Sequence, residues 1–311
     1  MQSNSPSHSP VDTVANAPHV AIILLNYNNA PDTMACVDSL RELSYKNYSI
    51  IVVDNASPDG SGIELQKKFP DLTVILNREN GGFAAGNNVG ILRAIGEKSE
   101  YLWILNNDTV VQPDSLSKLV DCMESDVSIG MCGCGIVYYS NPEIVWSWGG
   151  SLKFPFFDAS PIGLKKQVVG FFGKDVHPEI ISGCSQFVRT SVIDKIGLMP
   201  ECYFMYWEDV EWCYRIKKQG YKLAFVSEPL VLHKEGMTFG KSNPLKYFYK
   251  FRNRMLFIKR NLSFGESALS YVGVLFQIIY NSIVLMLRGN FSGFAKLCKG
   301  LLAGVYYYCK Q

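Results

Sequence analysis

Short, continuously apolar runs alternate with helically spaced segments through the first 120 residues. No other feature limits the fold so strongly. The runs 20–25, 48–53, 72–76 and 101–105 each read as a strand buried on both faces. Between them, Met34, Val37, Leu40 and Leu43 recur at helical spacing, and a second helix is predicted around 61–69. The glycine-rich run from Asn80 to Asn88 opens a third helix. Pro113 and Asp114 start a fourth, with Leu116, Leu119 and Val120 on its apolar face. Strand and helix in such alternation imply a mostly parallel central sheet covered on both faces, a Rossmann-like α/β arrangement.

Open sheets of this kind bind ligands beyond the carboxyl ends of their strands. Three of the first four strands end there in amides and carboxylates: Asn26 and Asn28, Asp54 and Asn55, and Asn106, Asn107 and Asp108. The third strand is followed by the glycine-rich turn. Polar groups converging on one rim suit a nucleotide.

Composition narrows the class. Apolar residues make up 48% of the 311 and charged residues 19%, enough to bury a large core. Lysine and arginine total 30 against 28 aspartates and glutamates, a net charge of +2. A dedicated nucleic-acid binder would show a marked basic excess, so none is expected. Nine cysteines cannot all pair within one chain and, with no second close pair to complement Cys132 and Cys134, do not suggest zinc. They read as reduced, mostly buried thiols of a cytoplasmic protein. Residues 1–18 lack an apolar signal core and read as a disordered tail.

Beyond the fourth helix the pattern loosens. Residues 128–180 read as a strand and a long loop, and 180–189 as a strand carrying a polar turn. Tyr206-Trp207-Glu208-Asp209 opens a helix that Gly220 ends, 222–226 is a strand, and a loop brings in His233. From about 245 the chain turns aromatic and cationic, with Lys246, Lys250, Arg252, Arg254 and Arg260. The stretch Leu269–Leu287 approaches the length of a membrane span. Ser270, Gln277, Asn281 and Arg288 fall on one face of it, which suits a helix lying in a membrane interface, or packed on the domain, better than one crossing lipid.

Two motifs carry chemistry. A carboxylate directly after a buried strand, as at Asp108, can hold Mg²⁺ or Mn²⁺ against a diphosphate. Asp209 at a helix start is electrostatically favoured as an anion, as a general base must be. Singly, each has a structural reading: a turn aspartate, a first-turn charge, a packed histidine. The glycine run fits neither the dinucleotide fingerprint nor the Walker loop.

Taken together, the motifs resemble family 2 glycosyltransferases of the GT-A fold, nearest the rhamnosyltransferase-like branch. The stretches that carry the likeness are VAIILLNYNN, IIVVDNASPDGS, NRENGGFAAGNNVGI, YLWILNNDTVVQPDSL, the segment from ISGCSQFVRT through MYWEDVEWCYRI to VLHKEG, and YFYKFRN. They span about 19–258 as one catalytic domain, followed by a helical, membrane-associated extension over 259–311.

The resemblance implies an inverting, metal-dependent hexosyl transfer in polysaccharide or cell-surface glycan synthesis. The donor would be a dTDP-, UDP- or GDP-sugar, with rhamnose favoured and another hexosyl or N-acetylhexosaminyl transfer of the same family as the alternative, and the acceptor a glycan or lipid-linked saccharide. It makes Asp209 the base, and Asp108 with His233 the Mg²⁺ or Mn²⁺ site. Asn26, Asn28, Asp54, Asn55, Arg78, Gly82, Phe83, Asn87 and Asn107 would bind the donor, and Trp207 and Glu208 the acceptor. Asn106 stands where many relatives have aspartate, which gives the metal motif one charge less. The expected location is the inner face of the membrane, with peripheral contact, and a homo-oligomer is compatible. A sugar nucleotidyltransferase would need a basic glycine-rich loop after the first strand, where this chain has Asn26-Tyr27-Asn28-Asn29. A non-enzymatic membrane-surface binder would use the cationic aromatic tail alone.

Overall fold

The computed structural model describes residues 17–153, 156–234 and 243–309. The alternation forms as expected: β1 (Val20–Asn26), α1 (Ala30–Arg41), β2 (Tyr48–Asp54), α2 (Ser61–Lys68), β3 (Thr73–Leu76), α3 (Gly82–Gly96) and β4 (Tyr101–Asn106). Then come β5 (Thr109–Val111), α4 (Ser115–Glu124), β6 (Ile129–Tyr138), β7 (Asn141–Ser147), β8 (Gly150–Lys153) and β9 (Asp158–Pro161). The chain continues through β10 (Ser185–Arg189), α5 (Ile193–Ile196), α6 (Glu208–Lys218) and β11 (Lys222–His233). Three helices, α7 (Leu245–Asn261), α8 (Phe264–Leu287) and α9 (Phe291–Cys309), complete it.

Among the described residues nine strands form one sheet, in the order β3-β2-β1-β4-β10-β6-β11-β5, with β7 on β6. The first four strands are mutually parallel, and β11 is parallel to β6. β10 runs against both its neighbours and β5 against β11, so the sheet is mixed. Alternation along β1 builds two cores. Val20, Ile22 and Leu24 pack with α1, α2 and α4, while Ala21 and Ile23 pack with α3, α5, α6 and α7.

Three readings of the sequence change. The segment 128–180 is strand-rich, holding β6, β7 and the separate β8–β9 hairpin. The strand expected from 180 begins only at Ser185, because Ser182–Cys184 make a turn. β11 runs on to His233, so a strand end and not a loop carries that residue. Residues 1–16 of the expected tail lie outside the described residues.

α8 is capped by Ser263 and Glu266, each accepting the other's backbone N–H. Its polarity is inverted. Ser270 is fully buried, and Gln277 donates to Asp158 Oδ1 at 3.0 Å and accepts from Arg254. Leu275, Phe276, Ile279, Tyr280 and Ile283 are exposed.

Candidate active site

Strand order reverses direction at β1, between β2 and β4, which is where such sheets open a crevice. A cavity of about 590 Å³ lies there, within the range of small-molecule sites. Asn55, Gly82, Phe83, Asn107, Asp108, Glu208, Asp209 and His233 all line it.

Sheet register brings Asp108 and His233 together. Asp108 occupies the turn between β4 and β5, and the next residue, Thr109, pairs with His233 across the antiparallel β5–β11 ladder. Lys234 N–H then donates to the Asp108 carbonyl at 2.9 Å. His233 Nε2 lies 3.1 Å from Asp108 Oδ1, and both side chains are buried. Neither ring nitrogen of His233 has a hydrogen-bond partner among the described residues. Buried polar nitrogens are rarely left so. Two ligand atoms on adjacent corners of an octahedral ion with bonds of about 2.1 Å lie about 3 Å apart, so the pair fits one divalent cation. Among the described residues no third histidine, cysteine or carboxylate joins them, so a cation held there keeps most of its coordination sphere for donor oxygens and water. The Trp146 ring meets His233 edge-on at 4.3 Å and fixes its plane.

Asp209 lies in the first turn of α6 and accepts from Gly183 N–H at 3.1 Å and Val210 N–H at 2.8 Å. Burial pushes its carboxyl upward despite these donors, so desolvation outweighs the helix terminus that the sequence pointed to. Burial, reinforced by the Asp209 charge, carries Glu208 up to about 8. Glu208 Oε2 has no partner among the described residues. Side by side, Glu208 holds a proton at neutral pH and Asp209 is the stronger acid of the two.

The loop before α6 is strained. Phe204, Tyr206 and Trp207 take φ of 66°, 64° and 79°, left-handed values unusual for aromatic residues. Asn253 of α7, fully buried, donates to the carbonyls of Tyr203, Met205 and Tyr206 at 2.7–3.0 Å. Phe83 N–H donates to the Phe204 carbonyl at 2.6 Å. Gly82, at φ 88°, leaves room for that carbonyl, which a Cβ would meet at 2.2 Å.

Not every expected residue reaches the cavity. Asn26 and Asp54 are buried beneath its floor, Asn26 donating to Asp54 at 2.7 Å and accepting from Thr33 at 2.8 Å. Asn28 and Arg78 are exposed and do not line it. Asn87 is buried in α3 and donates to the Phe83 carbonyl. Trp207 lines a neighbouring cavity instead. Tyr27, Trp146, Phe204, Tyr206 and Tyr249 line the main cavity and were not singled out in the sequence. Aromatics at irregular spacing carry no signal of their own, although Tyr249 and Asn253 lie in the YFYKFRN stretch.

A mixed sheet with its cavity at the carboxyl ends of β1 and β4 and a C-terminal helical extension is the GT-A fold of glycosyltransferases. The profile described as Glycosyl transferase family 2 matches residues 21–197, more than half the chain, and the chain belongs to that family. It is similar to a dTDP-rhamnosyl transferase, RfbF, of Shigella flexneri, at 21% identity over 88% of this chain and 90% of the relative. It is also similar to an N-acetylglucosaminyl-diphospho-decaprenol L-rhamnosyltransferase of Mycobacterium tuberculosis, at 23% over 71% and 77%. Among solved structures, the mannosyltransferase PcManGT of Pyrobaculum calidifontis, in complex with GDP-Man and Mn²⁺, superposes with a TM-score of 0.56 at 15% identity, covering 96% and 89%. TarS 1–349 of S. aureus with UDP gives 0.53 at 14%, covering 80% and 68%.

Proposed function

We propose that this glycosyltransferase moves a hexose, rhamnose in the favoured reading, from a nucleoside diphosphate to a hydroxyl of a glycan or lipid-linked saccharide, with inversion. The observation that carries the reading is the single cavity shared by the Asp108–His233 pair and Asp209. The rhamnosyl activities named for two relatives support the choice of sugar.

Asp108 and His233 would hold Mg²⁺ or Mn²⁺, which supplies positive charge against the departing diphosphate. Asp209 accepts the proton of the acceptor hydroxyl as that oxygen bonds to the anomeric carbon, and the carbon–oxygen bond to the diphosphate breaks on the opposite face. One displacement inverts the centre. Burial, which shifts Asp209 upward, makes it a stronger base than an exposed aspartate. Asn55 is positioned by donating to Asn80 Oδ1 at 2.9 Å and accepting from Asn77 at 3.1 Å, and it presents this network at the nucleoside end. The work would be done at a membrane face, on which the exposed apolar side of α8 would rest.

The test is a panel of dTDP-, UDP- and GDP-sugars, each with and without Mn²⁺, followed by nucleotide release. Metal-stimulated release from one donor, dTDP-rhamnose first, is expected. A chain that binds and hydrolyses none of them overturns the reading.

A further inference from the structure

A second cavity of about 240 Å³ adjoins the first, and Tyr206, Glu208 and Asp209 line both. Asp209 therefore stands between two chambers, and the donor reading occupies only one of them. The far wall of the second comes from α7, with Lys250 and Arg254, and from α8, with Gln277 and Asn281.

Lys250 and Arg254 are four residues apart and share one face of α7. Arg254, its side chain 3% exposed, meets Asp158 at 3.4 Å and donates to the Phe156 carbonyl at 2.7 Å, and its Nε has no partner among the described residues. Lys250 makes no hydrogen bond or ion pair among the described residues, and its charged neighbours are Asp158, Lys246 and Arg254. Asp209 and Glu208 lie on the other wall, so at the α7 wall two neighbouring cations share the single carboxylate of Asp158, and an anion bound there would take the unused donors of Lys250 and Arg254 Nε. The opposite side of α8 is the exposed apolar face. Only the thickness of one helix, about 10 Å, separates cationic cavity from apolar surface.

A ligand suited to this arrangement has a sugar hydroxyl at Asp209, an anionic link at Lys250 and Arg254, and an apolar chain leaving along α8. We infer that the second cavity is the acceptor chamber and that Lys250 and Arg254 take the diphosphate of a lipid-linked saccharide. The inference rests on the reading of Asp209 as the base. It adds the acceptor's charged link and the residues that select it.

The test titrates the full chain, in a chelator, by tryptophan fluorescence with three probes: farnesyl diphosphate, farnesol and inorganic pyrophosphate. Trp207 lines the chamber and reports occupancy. Farnesyl diphosphate should bind most tightly. Lys250→Gln should weaken it at least about tenfold, the worth of one charge-assisted hydrogen bond, and Lys250→Arg should restore most of it. Farnesol binding should be the same in all three proteins. Lys250 is chosen because it makes no contact on which the fold depends, whereas Arg254 ties α7 to β9 and α8. Equal farnesyl diphosphate affinity in wild type and Lys250→Gln overturns the assignment. So does farnesol binding as tightly as farnesyl diphosphate, and pyrophosphate binding as tightly as farnesyl diphosphate removes the lipid. Lys250-dependent binding in a chain inactive on every donor keeps this site and removes the transferase reading. Donor turnover without the Lys250 effect does the reverse.

Discussion

Glu208 and Asp209 are neighbours in the chain, and burial raises both carboxyls, Glu208 as far as about 8. Asp209→Asn keeps an acceptor for Gly183 N–H but cannot take a proton. Transfer should fall about 10²–10⁴-fold with donor affinity retained, measured as kcat beside a donor titration. Turnover near wild type would remove Asp209 from the mechanism. The Glu208 carboxyl, raised from 4.5 to about 8, keeps a proton that the unfolded chain has already released between those values. Native stability should therefore decline as pH rises from about 5 to about 8, and Glu208→Gln should flatten that decline. Denaturant midpoints at both ends check it, and an unchanged slope in the variant would refute it. For Asp108, chelation should weaken donor binding in wild type, and Asp108→Ala should bind weakly with or without chelator. Donor affinity indifferent to both treatments counts against the metal site.

At the scale of elements, α7 holds the loop that leads into α6. Left-handed aromatic residues cost on the order of 1–3 kcal/mol each, and the loop at 204–207 carries three of them. Asn253 repays part of this by donating to three loop carbonyls from a fully buried position. Asn253→Ala frees the loop, and Asn253→Asp places acceptor oxygens against carbonyls. Both should lower transfer by more than about tenfold while nucleotide release from the donor in water changes less. A purely structural role would depress both rates together in each variant.

At the scale of the molecule, the C-terminal helices leave a broad apolar face. α8 is long and apolar enough to cross a membrane, yet Ser270, Gln277 and Asn281 all turn toward the domain. A helix with one side engaged by a folded domain and the other bare suits an interface. The full chain should sediment with anionic vesicles, and replacing Leu275, Phe276 and Ile279 with serine should release it without unfolding. Substitution is preferable to truncation, because Leu285 and Leu297 pack on Phe251 of α7 and removing them would expose core. Equal sedimentation of both proteins would refute the docking face.

The sequence by itself determined the early strand–helix alternation, the polar strand ends and the two acidic motifs, because apolar period and strand-end chemistry are local. It also placed the polar residues of α8 on one face. Tertiary structure alone decided that β10 runs against its neighbours and that β11 continues to His233, since pairing partners lie far off in sequence. It moved Asn26 and Asp54 beneath the cavity and Arg78 outside it, because a strand end points either into the crevice or into the core according to its neighbours. The second chamber was equally hidden, because Lys250, Gln277 and Asp158 come from three separate elements and meet only when the helices fold back onto the sheet.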